Sequence, residues 1–233
     1  MNSNFIYLSP TKLALFQECP LCFWLAEKEK IERPRGPTAT LPQSMDKLIK
    51  NYFDYYRGRG ELPPEIAGKI KGKLIAQEIL DDWRKNSKNS KPRYFNKEAN
   101  AFLFGALDEC LIVDDKYYIP VDYKTYGYNL KENSFAHYQL QLDCYTLMLE
   151  GEGLTHLNIA YLIYYIPEKI EENNLIRFKI EIREVKTNPE KAKDIFLKAI
   201  EILRNPNPPA PSPECKFCHW RKELKEKIER LYF

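Results

Sequence analysis

The chain has little that would place it in a membrane or outside the cell. Its 233 residues include no hydrophobic run of membrane-spanning length, and the apolar stretch Ile159–Ile166 is far too short to cross a bilayer. The segment Met1–Pro10 lacks the basic region and apolar core of a secretory signal. We therefore expect an intracellular, reducing location, the cytoplasm by default, and no membrane partner.

A large net charge is also missing. The sequence has 36 basic and 33 acidic side chains, a formal net charge of +3, so it is not a bulk polycation. Any nucleic-acid surface would therefore be a local patch within mixed charge. Hydrophobic residues make up 44% of the chain, which is enough for a substantial core. We predict a single domain over residues 1–233.

Cysteine is sparse, but its spacing is informative. Four of the 6 cysteines form two C-x-x-C pairs, Cys19/Cys22 and Cys215/Cys218. In a reducing compartment this spacing favours a metal over disulfides. If the pairs meet, they join two segments, about residues 9–30 and 205–231, and close the domain. On spacing alone the pairs suggest a structural, tetrahedral Zn²⁺ site.

The middle of the chain predicts a β-hairpin. Two apolar, β-prone runs, Phe102–Val113 and Tyr117–Thr125, are separated by the turn-forming residues Asp114–Lys116. Further strands are expected near 94–100, 157–166 and 175–185. Helices are expected over 11–27, 43–56, 66–85, 134–150, 189–203 and 215–231. This order predicts an α/β domain with a mixed central sheet flanked by helices.

Two acids and a lysine occupy matching positions on this hairpin. A three-residue loop pairs Val113 with Tyr117, and counting outward then places Asp108 opposite Asp122. Side chains alternate along a strand, so Lys124 shares the face of Asp122. Facing carboxylates repel unless a cation lies between them, and a divalent metal together with Lys124 would supply it. A two-residue turn would instead send Asp122 to the opposite face.

A polar stripe follows on the predicted helix over 134–150. His137, Gln141 and Tyr145 recur at intervals of four residues, which places them on one helical face. A lone histidine is more often structural or solvated than catalytic, so we interpret His137 as a structural or solvated residue. Gln141 and Tyr145 become candidates for function only because the acids and Lys124 precede them.

Taken in order, these segments resemble the PD-(D/E)XK nuclease superfamily. They are most similar to its RecB-like exonuclease branch, which includes the iron–sulfur nucleases of CRISPR adaptation and the AddB-type repair nucleases. The matching segments are Gly105–Asp108, Val121–Thr125, Gln141–Tyr145 and Leu8–Lys12, followed by Cys19. The proline-rich loop before the second cysteine pair also resembles these nucleases. The resemblance implies a restriction-endonuclease-like fold with a catalytic core at about residues 94–185.

The resemblance also implies a role for each matching residue. Asp108 and Asp122, joined by the backbone carbonyl of Tyr123, would bind Mg²⁺ or Mn²⁺. Lys124 would orient the attacking water and stabilise the developing negative charge. The side chains of Gln141 and Tyr145 would position the DNA strand near the metal.

Two positions depart from the family pattern. Many relatives have a metal-binding histidine on a helix before the strands, where this chain has Asp46. Asp46 is either a substitute ligand or an ordinary surface or capping residue. The relatives usually have one early and three late cysteines around a [4Fe–4S] cluster, whereas this chain has two and two. For the four-cysteine site the resemblance therefore favours a structural [4Fe–4S] cluster, with Zn²⁺ as the alternative that the two-and-two spacing allows.

The leading hypothesis is a metal-dependent DNA nuclease acting on single strands or ends, more as an exonuclease than an endonuclease. DNA repair or recombination and CRISPR spacer acquisition are both compatible with the resemblance, with a helicase or a CRISPR integrase as partner. One rival is a catalytically silent DNA-binding or scaffolding subunit. Another is a zinc-stapled interaction module in which the hairpin acids are incidental.

Overall fold

The computed structural model contains both strands and helices and describes residues 5–34, 36, 37, 40–127 and 129–232. The strands are β1 (Ile6–Leu8), β2 (Lys73–Leu74), β3 (Arg93–Asn96), β4 (Ala101–Phe104), β5 (Glu109–Val113), β6 (Tyr117–Thr125), β7 (Ile159–Ile170) and β8 (Ile176–Lys186). The α-helices are α1 (Pro10–Glu18), α2 (Pro20–Trp24), α3 (Thr40–Arg57), α4 (Gln77–Trp83), α5 (Gln139–Gly151), α6 (Pro189–Arg204) and α7 (Lys216–Tyr232). None of the helices in these described ranges is long and apolar enough to cross a bilayer.

The larger sheet has five strands in the order β2-β5-β6-β7-β8. β6 and β7 are parallel, whereas the other neighbouring pairs are antiparallel. Parallel neighbours need a long crossover, and α5 lies within the one between β6 and β7. The predicted α/β class, with a mixed central sheet flanked by helices, is confirmed.

A smaller sheet has the order β1-β4-β3, with β1 and β4 parallel. The sequence predicted one continuous strand over Phe102–Val113, and this was wrong. The chain leaves the small sheet at Phe104 and enters the large sheet at Glu109. At this break a Cβ on Gly105 would lie 3.1 Å from Cδ of Pro10, so α1 packs tightly against this position.

The predicted helix over 66–85 was also wrong, because only Gln77–Trp83 is helical. Gly68 and Gly72 adopt positive φ angles of 74° and 103°, which a continuous right-handed helix excludes. A Cβ on Gly72 would approach the carbonyl oxygen of Ile112 to 2.8 Å. The glycines therefore let this segment turn and pair with β5 through β2.

The two faces of the large sheet cover separate hydrophobic cores. Leu162 and Tyr164 of β7 belong to the core that contains α5 and α6. Their neighbours Tyr161 and Ile163 belong to the core on the opposite face, where Phe53 of α3 also packs. This alternation is the period of two expected for a strand that is buried on both faces.

A helix break sets the position of the first cysteine pair. Ser9 caps α1 by accepting a hydrogen bond from the Lys12 amide at 3.4 Å. The helix ends at Glu18, and Pro20 starts α2, so Cys19 is an extended residue between them. Cys19 and Cys22 therefore face the chain that leads into α7.

Candidate active site

The hairpin between β5 and β6 has the register that the acid pattern requires. Val113 pairs with Tyr117, and Glu109 pairs with Val121 at the far end. The three-residue loop uses positive φ angles of 52° and 51° at Asp114 and Asp115. The predicted odd-length loop is confirmed, so Asp108, one residue before β5, lies level with Asp122.

Asp122 is fully buried, and the side chains of Lys124 and Gln141 contact its carboxylate. Lys124 forms an ion pair with Oδ2 of Asp122. Nε2 of Gln141 donates to Oδ1 of Asp122 at 3.0 Å and to the hydroxyl oxygen of Tyr145 at 2.5 Å. The structure thus brings together residues from β6 and α5 that the sequence separates by up to 23 positions.

Asp108 has a cationic partner that the sequence did not predict. Nζ of Lys50, on α3, lies 2.8 Å from Oδ1 of Asp108 and 2.8 Å from Oδ2 of Asp46. The Lys50 ammonium therefore lies between Asp46 and Asp108 and contacts both carboxylates. The contact with Asp46 is a simple i, i+4 pair, but the contact with Asp108 spans the fold, so no local signal identifies it.

The two acids influence each other electrostatically. Burial, together with the nearby Asp108 carboxylate, raises the pKa of Asp122 to about 7, although the Lys124 ammonium opposes the shift. A buried carboxyl with such a pKa readily exchanges its proton for a cation near neutral pH.

Comparison with known proteins identifies the family of the chain. The sequence model of the PD-(D/E)XK nuclease superfamily matches residues 7–222. The chain belongs to this superfamily. Its membership implies metal-dependent hydrolysis of phosphodiester bonds, and the α/β architecture is consistent with the restriction-endonuclease-like fold.

Other comparisons add little to the superfamily assignment. No curated protein matches the chain in sequence. A solved structure described as "Crystal structure of SSO0001" is 14% identical, covers 93% of this chain and 84% of that chain, and has a TM-score of 0.43. This likeness is too slight to bear on function.

The Asp108 and Asp122 side chains are suitable ligands for the divalent metal that the superfamily uses. Asp108 and Asp122 offer carboxylate oxygens, the ligands that Mg²⁺ and Mn²⁺ prefer. Oδ2 of Asp122 is buried and accepts no well-aligned hydrogen bond from the residues that the structure describes. Although the Lys124 ammonium pairs with this oxygen, a buried carboxylate beside a second carboxylate is a suitable ligand for such an ion.

A buried charge network lies on the other face of the hairpin, and the sequence did not predict it. Glu109 is fully buried and accepts a hydrogen bond from Arg57 at 2.5 Å and one from the Tyr123 hydroxyl at 3.0 Å. Burial raises the pKa of Glu109, while Arg57 opposes the shift. Nε of Arg84 donates to the backbone carbonyl of Asp108 at 2.9 Å, so the network also supports the acid site.

His137 lies apart from the polar stripe predicted for α5. It is exposed and belongs to a short 3₁₀ turn, Ser134–Tyr138, that precedes the helix. Its neighbour Tyr138 contacts the site instead, because Nζ of Lys124 lies 4.6 Å from the centre of the Tyr138 ring. Of the stripe, Gln141 thus contacts Asp122 directly, and Tyr145 is joined to it through Gln141.

The two C-x-x-C pairs meet in a single buried cluster. The sulfur atoms of Cys19, Cys22, Cys215 and Cys218 all lie within 4.8 Å of one another. Three of the separations are 3.8, 3.7 and 3.6 Å. The cluster joins the start of the chain to α7, as predicted. It is the one group of three or more potential metal ligands found in the described ranges, which leave out 1–4, 35, 38, 39, 128 and 233.

Proposed function

We propose that this chain is a Mg²⁺- or Mn²⁺-dependent deoxyribonuclease of the RecB-like branch that degrades single-stranded DNA or DNA ends as an exonuclease. The arrangement of Asp108, Asp122 and Lys124 supports the proposal, because one buried acid faces another beside an ammonium group. By resemblance alone we place the activity in DNA repair or recombination, or in CRISPR spacer acquisition. A helicase or a CRISPR integrase would then be its partner.

Each residue contributes through its own chemistry. Asp108, Asp122 and the backbone carbonyl of Tyr123 would hold the metal, which when bound supplies Lewis-acid activation of phosphate and water. Lys124 has its ammonium at the acids, where it can orient the attacking water and stabilise negative charge on phosphate. Gln141 fixes the orientation of the Asp122 carboxylate through the 3.0 Å hydrogen bond.

Tyr145 and Asp46 would act at the edges of the site. The Tyr145 hydroxyl accepts from the Gln141 amide, so it would help to set that side chain against the DNA strand. Asp46 would ligate the metal only if Lys50, which lies 2.8 Å from both Asp46 and Asp108, moved out from between them.

For the cysteine cluster we propose a structural metal site, and its geometry supports Zn²⁺. Thiolates at the usual Zn–S distance of about 2.3 Å form a tetrahedron with edges of about 3.8 Å. The three separations of 3.6 to 3.8 Å agree with that edge. A [4Fe–4S] cluster, which the resemblance implies, would require the sulfurs to move apart to enclose irons and sulfides.

A cleavage assay tests the proposed function. End-labelled single- and double-stranded DNA would be incubated with anaerobically purified protein in Mg²⁺, Mn²⁺ or EDTA. Asp122→Asn removes one candidate ligand at nearly constant shape, and Asp194→Asn is the matched control at an exposed aspartate on α6. We expect metal-dependent cutting that is lost in Asp122→Asn and kept in Asp194→Asn.

The alternative outcomes separate the rival functions. DNA binding without cutting by any of the proteins would support a silent DNA-binding subunit. Cutting that survives Asp122→Asn would show that the hairpin acids are incidental. The ladder of products from end-labelled DNA would also distinguish stepwise removal from internal cleavage and give its polarity.

A further inference from the structure

The outer face of the small sheet carries a row of three aromatic rings. Tyr7 of β1 and Phe95 of β3 both pair directly with Phe102 of the middle strand β4. The ring centres of Tyr7 and Phe102 lie 5.2 Å apart at an interplanar angle of 11°, and those of Phe95 and Phe102 lie 4.5 Å apart at 28°. We call Tyr7, Phe102 and Phe95 the aromatic row.

This row faces away from the core. The alternate residues of the same strands, Leu8 and Leu103, are fully buried on the inner face. Phe95 is 42% exposed, and Phe5, whose ring meets those of Phe95 and Phe102 edge-on, is 39% exposed. Core formation does not require three rings to lie together on the solvent-exposed face of a sheet, so this arrangement suggests a binding surface.

Cations lie directly against the row. Nζ of Lys88 is 4.7 Å from the centre of the Tyr7 ring, and the guanidinium carbon of Arg93 is 4.9 Å from the centre of the Phe102 ring. Both contacts are within the range of cation–π attraction.

A basic cavity of about 370 Å³ continues from the row. Its lining includes the aromatic rings of Phe5 and Tyr7. It also includes four lysines, Lys12, Lys28, Lys30 and Lys88. Lys12 pairs with the cavity's Glu27 at 2.7 Å, while Lys28 and Lys30 donate to backbone carbonyls at 2.7 and 2.6 Å. Four ammonium groups against one carboxylate leave the cavity suited to an anion.

We propose that this face is a second binding surface for single-stranded DNA, separate from the candidate active site. Unpaired bases would extend the aromatic row by stacking at the exposed Phe95, and phosphates would lie along the lysines. A duplex buries the faces of its bases within its own stack, so the exposed rings select a single strand. The proposal rests on the proposed function only in taking DNA as the nucleic acid.

Charge and ring geometry favour a DNA strand over a protein partner. An apolar protein surface would need hydrophobic area but no ordered rings, and it would leave the surrounding ammonium groups without counter-charge. A single strand supplies both flat bases and a regular series of phosphates. The active site uses β6 and α5 of the large sheet, whereas this surface uses β1, β3 and β4.

The test compares two substitutions at one exposed residue. Phe95→Leu keeps an apolar side chain but removes the ring, whereas Phe95→Trp keeps a stacking surface. Binding of a fluorescein-labelled oligothymidylate of about 15 nucleotides would be followed by anisotropy without divalent cations, so that no strand is cut. We expect Phe95→Leu to weaken binding about tenfold and Phe95→Trp to bind like the wild type.

The lysines give a second, independent measurement. Lys88→Gln removes a charge from the exposed rim and leaves the rings in place. We expect the slope of log K against log salt to become shallower by about 0.7 for each phosphate contact that is lost. Circular dichroism and thermal unfolding of each variant would establish that the surface substitutions leave the fold intact.

Several outcomes would overturn the proposal. One is the absence of binding by the wild type. The others are unchanged binding in Phe95→Leu and equal losses in Phe95→Leu and Phe95→Trp, because equal losses would indicate a packing defect and not the loss of a stacking surface. The proposed function fails separately. Wild-type protein that binds through the row but never cuts DNA would refute the nuclease alone, and cutting with an unaffected Phe95→Leu would refute the second surface alone.

Discussion

Arg84 donates from Nε to the backbone carbonyl oxygen of Asp108 at 2.9 Å and thereby joins the first candidate acid to a buried charge network. The same guanidinium lies 2.7 Å from the Asp54 carboxylate and 3.5 Å from that of Glu109. Asp108 precedes β5, so it lacks the neighbouring-strand bonds that hold Asp122. Its backbone is fixed instead by a side chain from the end of α4.

Replacing Arg84 should therefore affect both stability and metal use. Arg84→Gln leaves the buried Glu109 with only Arg57 as a cationic partner and frees the Asp108 carbonyl. We expect the free energy of unfolding in urea to fall by about 3 kcal/mol. We also expect more Mg²⁺ to be needed for half-maximal cleavage, because Asp108 is no longer held in place.

The matched control for this prediction is Arg183→Gln. Arg183 pairs with Glu181 on the exposed strand β8, and its side chain is 45% exposed. Exposed pairs contribute about 0 to 1 kcal/mol, so Arg183→Gln should unfold nearly as the wild type does. Equal stability of the two variants would contradict the role assigned to Arg84.

Gln141 provides a prediction about the orientation of the acid. Gln141→Ala removes the hydrogen bonds to Asp122 and Tyr145. A hydrogen bond to a charged group contributes about 1.5–3 kcal/mol, so cleavage should slow by about 10- to 100-fold with the fold unchanged. Single-turnover cleavage at saturating Mg²⁺, together with circular dichroism, checks both statements.

Gln139→Ala is the control for that measurement, because it changes the same residue type on the same helix. Its amide donates to Asp143 at 2.7 Å and to the Lys186 carbonyl at 2.8 Å, away from the acids. Gln139→Ala should cleave at a rate close to that of the wild type. A comparable loss in both glutamine variants would mean that α5 had shifted, and would remove the specific role of Gln141.

Local patterns predicted the parts of the site that depend on neighbouring residues. Strand alternation and turn chemistry were sufficient for the pairing of Val113 with Tyr117, and the face of Lys124 followed from it. The meeting of the cysteine pairs followed from their spacing and the chemistry of thiolates. These features need no knowledge of which distant elements pack together.

The parts that were missed depend on tertiary contacts. Arg84 and Asp108 are 24 residues apart, and Arg57 and Glu109 are 52 apart, so no periodic pattern connects them. The break between β4 and β5 depends on the approach of Pro10 to the intervening glycine. Such contacts override local propensity, which is why a run that looks like one strand divides between two sheets.

A cysteine inside the cluster and a buried cysteine outside it should differ in their effect on bound metal. Cys19→Ser removes one of the four clustered sulfurs, so bound metal should be lost and the melting temperature should fall. Cys110 is equally buried, but burial raises the pKa of its thiol and it lies outside the cluster. The Cys110→Ser protein should therefore keep the metal that the cluster binds.

Elemental analysis, visible absorbance and thermal unfolding of anaerobically purified protein check this prediction. Stoichiometric zinc without visible absorbance would agree with the sulfur separations of 3.6 to 3.8 Å. Iron, sulfide and a brown colour would instead mean that the cysteines open around a cluster. Equal metal contents in the Cys19→Ser and Cys110→Ser proteins would contradict the site itself.

The raised pKa of Asp122 makes stability depend on pH in a defined direction. Without divalent cations, the carboxyl has a pKa of about 7 when folded and an ordinary value of 3.8 when unfolded. The folded state therefore binds the extra proton between these values, and stability is lost as pH rises from about 4 to 7. A carboxyl shift of this size corresponds to a loss on the order of 4 kcal/mol.

Asp122→Asn isolates this effect, because asparagine cannot titrate, whereas Glu109 and the other acids are present in both proteins. We expect the free energy of unfolding of the wild type, minus that of Asp122→Asn, to decrease as pH rises from 4 to 7. Added Mg²⁺ should reverse the trend for the wild type alone, since the ionised carboxylate then has a cation to bind. A pH-independent difference, or equal stabilisation of both proteins by Mg²⁺, would show that Asp122 neither holds a proton at neutral pH nor exchanges it for a metal.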